Sequence, residues 1–388
     1  MKYSPTDFLK IATNTAEHFG FRTADTFRKD PLCKNCEAPL SYTANDADIE
    51  NDAHNGLLTN SVSVFCQENL HALKAPVLLY SLDQAKSADS TAVTFSIFNV
   101  QKSIAEAILI QAGRSLMQEL GQEDHVVRIN SLGDTESNTR YSRELTNFLR
   151  KRLDTMPTEA RELMKEHPLL ALKYLIKEEH DLAFRSPNPL EFLSDQSRKH
   201  FREIVEYLDM TETPYEIDPK MIEHHEYYSD ALFSIESLAS QDALIPSISV
   251  RGGRYDEFVY RKTRNRIPAA GAVVTFSNSK QPGRLPKAKS VEPTVYVVQL
   301  GFGPKVRSLM IINQLKHAGI AVRHDLASDS LSAQLRDAEA RGVRYTVIIG
   351  QKEFVDQTVI LRDMKERNQE NVSLDAMIKK LKRQLQVA

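Results

Sequence analysis

The spacing of apolar positions divides the chain into stretches of different period. Residues 3–18 carry apolar side chains at helical spacing and predict an amphipathic helix, whereas a stretch over 33–56 rich in Asn, Asp and Ala reads as a long loop. Apolar runs at 76–82 and 92–100 bracket the polar residues 83–91, the pattern of two strands joined by a turn. Ile104, Ile108, Ala112 and Leu116 then recur on one helical face, and Gly121 stands just past the end, where it stops the helix. After a strand-like run at 125–129, residues 135–209 are charged, carry many Leu at helical spacing and hold few β-branched runs, which predicts a helical section. Strand patterns return at 227–235, 244–250 and 269–276, so the helical section interrupts a sheet.

Between 277 and 293 the composition changes again. Pro282, Pro286 and Pro293 alternate with Lys280, Arg284, Lys287 and Lys289, as in an exposed linker. The organisation expected is therefore a domain over 1–278 with a helical insertion at about 135–209, a linker over 279–291 and a domain over 292–388. In the last part, strand-like 295–300, 321–323 and 345–349 alternate with helical patterns at 305–318 and 331–341, the order of an α/β module around a largely parallel sheet.

Composition narrows the function classes. At 388 residues and 41% hydrophobic content the chain can bury substantial cores. Its formal net charge of -2 excludes the basic excess of a dedicated nucleic-acid packer, so any RNA contact requires a local patch. Such a patch exists: residues 291–388 carry 15 Lys+Arg against 11 Asp+Glu. The N-terminus shows no secretory pattern and no window approaches a membrane span, which gives a cytoplasmic location as the default expectation and no membrane partner. Cys33, Cys36 and Cys66 make no disulfide framework. Cys33 and Cys36 form a CxxC that could supply half of a zinc site with Cys66 and His54 or His71, but one CxxC alone does not establish metal binding, and reduced thiols in a loop are the expectation. His224-His225 beside Glu226 likewise lack further ligands at fixed spacing.

Five segments stand in a distinctive order: Arg128-Ile129-Asn130-Ser131-Leu132-Gly133-Asp134, the stretch 192–201, Pro214-Tyr215-Glu216-Ile217-Asp218-Pro219, Glu226-Tyr227-Tyr228 and Arg251-Gly252-Gly253-Arg254-Tyr255-Asp256. In these segments and their order the chain resembles, from about Val77 to its end, the histidyl-tRNA synthetases, a class II aminoacyl-tRNA synthetase family. The resemblance implies an α+β fold: a class II synthetase-like antiparallel sheet with flanking helices and a helical insertion, plus a C-terminal α/β anticodon-binding-like domain. It implies a homodimer, to which the apolar segments 57–65 and 75–82 could contribute, and tRNA as a possible partner. It also implies ATP with Mg as a requirement if ligation persists.

Forming an aminoacyl-adenylate sets a carboxylate beside a triphosphate, so the site must supply fixed positive charge. The resemblance places three arginines where this chain has Lys86, Glu223 and Asn278. It also places a pocket glutamate after the first hairpin, where this chain is matched by Thr59-Asn60-Ser61-Val62, and glutamine-rich contacts at Thr94-Phe95-Ser96-Ile97. No catalytic residue is assigned. Tyr227, Tyr228 and Tyr255 could line a pocket remnant with Arg254 as anion anchor; equally, the tyrosines could pack the sheet and Arg254 could pair with Asp256 or another carboxylate. Gly252 and Gly253 are expected to serve the backbone through a tight bend or close approach. The run 261–266, with Arg261, Lys262, Arg264 and Arg266, is a solvated loop or an anion contact.

The C-terminal RNA-binding candidates are Arg323, Arg341, Arg344, Lys379, Lys380, Lys382 and Arg383, weighed against an ordinary charged helix. The leading expectation is a histidyl-tRNA synthetase-like protein impaired in aminoacylation that acts through tRNA or a protein partner. The alternatives are an active histidine-tRNA ligase with an unusual site, and a regulatory subunit of ATP phosphoribosyltransferase, which typically lacks the C-terminal domain.

Overall fold

Ser4 starts the first helix. Its hydroxyl accepts the Asp7 N–H at 3.2 Å while the Asp7 carboxylate accepts the Ser4 N–H at 3.1 Å, so two donors orphaned by the first turn are satisfied. The computed structural model describes residues 3–28, 40, 53–73, 75–84, 90–223, 227–237, 247–277 and 293–387. Cys33, Cys36, Lys86, His224, His225, Glu226, Asn278 and the expected linker lie outside them.

Chain order begins with α1 (Pro5–His18), α2 (Ala24–Arg28) and α3 (Ala53–Gln67), followed by the hairpin β1 (Val77–Gln84) and β2 (Ser90–Phe98), then α4 (Ile104–Glu119) and β3 (His125–Gly133). The insertion supplies α5 (Thr135–Arg150), α6 (Thr158–Glu166), α7 (Pro168–Lys177), α8 (Asp181–Phe184) and α9 (Asp195–Met210). The chain re-enters the sheet through β4 (Tyr215–Ile217), β5 (Ser229–Ser237) and β6 (Ser247–Arg254), and after α10 (Asp256–Thr263) closes it with β7 (Ala269–Ser277). Seven strands result, in the order β1-β2-β7-β6-β5-β3-β4. All pairings are antiparallel except β3 with β4. This is the antiparallel sheet with flanking helices and a helical insertion that the resemblance implied.

Gly252 and Gly253 lie within β6, and close approach rather than a bend is their use. A Cβ on Gly252 would stand 2.4 Å from the Gly271 carbonyl oxygen, and one on Gly253 would stand 2.5 Å from that of Ala231. Side chains there would drive the central strands apart.

The two faces of the sheet are covered by different helices. On one, α1 and α4 bury Phe8, Leu9, Ile104, Ile108 and Leu116 in a core that also holds Val250 and Ile235. On the other, α3 buries Leu58, Val62 and Phe65 with Tyr227, Tyr255, Phe258 and Val273. The long loop expected over 33–56 is therefore shortened at its C-terminal end, and Thr59-Asn60-Ser61-Val62 precedes the hairpin inside a helix rather than following it. Segments 57–65 and 75–82 place Leu58, Val62, Phe65, Val77 and Leu79 in the chain's own core.

The second sheet follows β8 (Val295–Gln299), α11 (Phe302–His317), β9 (Val322–His324), α12 (Leu331–Ala340) and β10 (Tyr345–Ile349), the alternation expected. Then come α13 (Gln351–Val355), the hairpin β11 (Thr358–Asp363) with β12 (Gln369–Ser373), and α14 (Leu374–Val387). The order β12-β11-β10-β8-β9 is parallel only across β10, β8 and β9. At the antiparallel edge β12 lacked a legible pattern because it buries one residue, Val372.

The sheets meet along α1, α4, α11 and β9. Arg323 Nη1 donates to the Glu17 carbonyl at 2.7 Å, and Lys316 Nζ donates to Thr15 at 2.8 Å and Ser115 at 2.9 Å. Lys316 also pairs with Glu119, and Lys102 pairs with Asp329. No helix among the described residues is long and apolar enough to cross a membrane.

Candidate functional site

The motif at the end of β6 places Arg254 in the centre of the first unit. Its side chain is buried, and five contacts engage all five guanidinium N–H groups. Nε donates to Glu106 Oε1 at 2.7 Å and Nη2 to Glu106 Oε2 at 3.0 Å, a two-pronged ion pair. Nη1 donates to the Val100 carbonyl at 3.1 Å and to Asp256 Oδ1 at 3.4 Å, and Nη2 to the Lys102 carbonyl at 3.3 Å. Glu106 also bonds His200 Nε2 at 2.9 Å, which joins the insertion's last helix to α4.

Burial alone would neutralise these groups; the mutual pairing reverses that for Glu106 but not for Asp256. For Glu106 burial pushes the carboxyl up, but Arg254 and His200 outweigh it and hold it down to about 2. For Asp256 burial prevails over Arg254 and lifts the carboxyl to about 6. Sequence reasoning did not single out Glu106. The available signal was one acidic residue inside the otherwise apolar run that begins α4.

Tyr227 and Tyr255 are fully buried and Tyr228 nearly so. The Tyr227 ring lies 4.3 Å from Phe258 and 5.6 Å from Tyr255, centroid to centroid. Tyr228 Oη lies 2.6 Å from His54 Nε2, and the Thr59 hydroxyl donates to Tyr227 Oη at 3.5 Å, so α3 lies over the aromatic group. Gly271 is hemmed in on the same side: a Cβ there would meet Leu58 Cδ2 at 2.7 Å and Tyr255 Oη at 3.0 Å. Burial raises the Tyr255 hydroxyl well above the ordinary phenol range, which suits packing rather than proton transfer. Tyr255 follows Arg254 in one motif and Tyr227 and Tyr228 come from another, but the guanidinium points to the Glu106 side and the aromatic rings to the α3 side.

Of the positions where the resemblance calls for arginine, Glu223 is described. Its carboxylate lies 3.9 Å from Lys173 Nζ and 4.0 Å from Arg251 Nη1. Arg261 and Arg266 open into two neighbouring clefts rich in carboxylates. Arg266 shares a 630 Å³ cleft with Asp134, Glu136, Asp230, Asp256 and Glu257, and Arg261 shares a 420 Å³ cleft with Asp134 and Glu257. These surroundings oppose a polyphosphate. Among the described residues no group of three His, Cys, Asp or Glu could hold a metal ion, and Cys66 is buried with its thiol pushed up by burial to about 11.

The C-terminal candidates divide by location. Arg323 is turned towards the seam, and Arg341 pairs with Asp337 Oδ2 at 2.9 Å. Arg344, Lys379, Lys380 and Arg383 come together along a 660 Å³ groove with Tyr345, Ala376 and Gln384. The helix period explains this set: Ala376, Lys379, Lys380, Arg383 and Gln384 fall on one face of α14, while Met377 and Leu381 on another are buried against the sheet. Arg344 pairs with Asp363 at 2.8 Å and Lys380 with Glu370; Lys379 and Arg383 are exposed, and exposed Lys382 is outside the groove lining.

Residues 294–384 match the family model described as an anticodon binding domain. The chain is 28% identical to histidine–tRNA ligase of Halothermothrix orenii over 72% of this chain, and the match spans 66% of that protein, just under two thirds. It is 24% identical to histidine–tRNA ligase of Caldanaerobacter subterraneus over 83% of this chain and 79% of that one. Among solved structures, apo histidyl-tRNA synthetase of S. aureus matches at 17% identity with a TM-score of 0.43, over 82% of this chain and 80% of that one. The ordered sequence motifs, the antiparallel sheet that carries them and the C-terminal domain match agree in making this chain similar to the histidyl-tRNA synthetases.

Proposed function

We propose that this protein is a histidyl-tRNA synthetase-like, tRNA-binding protein impaired in histidine adenylation. The observation that carries the reading is the complete engagement of Arg254 by Glu106, Asp256 and two carbonyls, beside an aromatic group packed under α3. An arginine held in this way has no N–H left for a phosphate or a carboxylate substrate. Glu223 adds negative charge at a position where the resemblance calls for arginine. Loss of one transition-state charge contact costs about 2.7–4 kcal/mol, roughly 100- to 1,000-fold in rate.

Exposed positive charge gathers along the groove of the C-terminal domain, whose family match supports tRNA as the ligand. The groove is the proposed RNA contact, Lys379 and Arg383 being its exposed charges. The family also supports a homodimer in solution. The test is histidine-dependent exchange of labelled pyrophosphate into ATP, measured beside tRNA binding on the same preparation. Exchange at background with retained tRNA binding is the expected result; robust exchange overturns the impaired reading.

A further inference from the structure

Two histidines stand in the seam between the sheets, one from each side: His18 ends α1 and His324 ends β9. The polar contacts of Arg323 and Lys316 that tie the seam run beside them. His18 Nε2 donates across the seam to the Ile312 carbonyl of α11 at 2.6 Å. Phe19, fully buried, follows it, and Gly20, at φ +85°, turns the chain against His324, where a Cβ would lie 3.5 Å from Cε1 of the ring. Both His324 ring nitrogens are withdrawn from solvent, and neither makes a hydrogen bond of normal geometry, although the Phe19 carbonyl lies beside the ring.

The charged groups around His18 are Glu17 of its own helix, Glu119 of α4, Lys316 and His317 of α11 and Arg323 of β9. Both carboxylates have other partners: Glu119 pairs with Lys316, and Glu17 accepts from the Tyr80 hydroxyl at 3.4 Å and faces Arg323. His324 shares its cavity with Arg22, Arg323, Asp325, Asp337 and Arg341. There Asp337 accepts from Arg341 Nε and the Tyr296 hydroxyl, each at 2.9 Å, and Asp325 accepts the Ser328 N–H at 3.1 Å. Neither imidazole is hydrogen-bonded to a carboxylate, in contrast to His200 on Glu106.

That difference sets the protonation state of the docked rings. Burial foremost, then Lys316, His324 and His317, hold His18 down to about 3 against the pull of the Ile312 carbonyl. Burial, then Arg323, hold His324 down to about 3. Both are therefore neutral while the seam is closed, and in water each would return towards its ordinary 6.5. Folded values below the ordinary one mean that the docked form is fully favoured above 6.5. As pH falls from there towards 3, each histidine shifts the balance to the open form by up to about tenfold per pH unit.

We propose that the seam is an acid-sensitive joint, in which protonation of His18 and His324 parts the two units while each sheet stays folded, and deprotonation docks them again. Each sheet buries side chains of its own, Ile235 and Val250 in the first and Val297 and Val347 in the second. The basic groove on α14 moves with the second unit, so the joint sets where that groove stands relative to the first sheet.

The test is small-angle X-ray scattering of the full chain from about pH 8 to about pH 4.5, above the range where ordinary carboxylates take up protons, with far-UV circular dichroism on the same samples. The radius of gyration rises reversibly below about pH 6.5 at constant molecular mass, and the dichroism holds. His18→Gln keeps a donor for the Ile312 carbonyl, and His324→Leu gives up no hydrogen bond of normal geometry. Together they abolish the rise, and either alone reduces its steepness from about 100-fold towards about tenfold per pH unit. The single variants decide the matter should the double variant not be compact at pH 8. A constant radius in the unaltered protein overturns the proposal. So does an equal rise in the variants, which would place the opening on Glu17 or Glu119, and so does a rise accompanied by loss of dichroism, which is unfolding and not a joint.

Discussion

Glu106 and Arg254, 148 residues apart in sequence, meet as a two-pronged ion pair at 2.7 and 3.0 Å with both side chains withdrawn from solvent. The pair joins α4 to the end of β6, and His200 extends it to α9. Removing one member of a buried pair leaves the other charge without compensation, which costs about 3–5 kcal/mol. Glu106→Gln is expected to destabilise the fold on that scale, read from the urea midpoint, whereas an exposed pair such as Lys165–Glu162 is expected to contribute at most about 1 kcal/mol.

The same cluster gives two pH dependences of opposite sign. Glu106 is held down to about 2 from its ordinary 4.5, so its stabilisation is fully present above 4.5 and is lost as pH falls through about 2. Asp256 is lifted to about 6 from 3.8, so its contribution is present below 3.8 and is lost as pH rises through about 6. Urea midpoints across this range should show the acid loss flattened in Glu106→Gln and the loss near pH 6 flattened in Asp256→Asn.

Gly252→Ala places a methyl group against the backbone carbonyl of Gly271, which no rotamer change can relieve. The expected cost is about 1–3 kcal/mol or more, because the strands themselves must shift. Circular dichroism melts would register it as a lowered transition. An unchanged melt would mean that β6 and β7 are further apart than described.

The groove on α14 carries the prediction for RNA. Each neutralised phosphate contributes a log-log salt slope of about -0.7 to -0.9, so Lys379→Gln, Lys380→Gln and Arg383→Gln together should flatten the salt dependence of tRNA binding. Lys382→Gln, outside the groove, should change it less. Filter binding over a salt series measures both, and an equal effect from Lys382→Gln alone would point to diffuse charge instead of the groove.

Local pattern in the sequence determined most of the elements. The apolar runs that became β2 and β7, the four-residue spacing of Ile104, Ile108, Ala112 and Leu116, and the strand–helix alternation after residue 293 are each settled by which side chains must leave water. The motifs of the resemblance singled out Arg254 and the tyrosines as candidates. What the sequence did not contain is the partner of each charge. Whether Arg254 faces a substrate or Glu106 depends on the register of β6 against β5 and β7 and on how α4 crosses the sheet, which are long-range pairings that no local period encodes. The same holds at the C-terminus. Arg323 and Lys379 look alike as basic residues in one module, but docking against α1 draws the first into the seam, and the packing of Met377 and Leu381 leaves the second facing solvent. Tertiary structure decided these roles because the energy of a charge is set by what lies within a few ångströms of it, and those neighbours come from elsewhere in the chain.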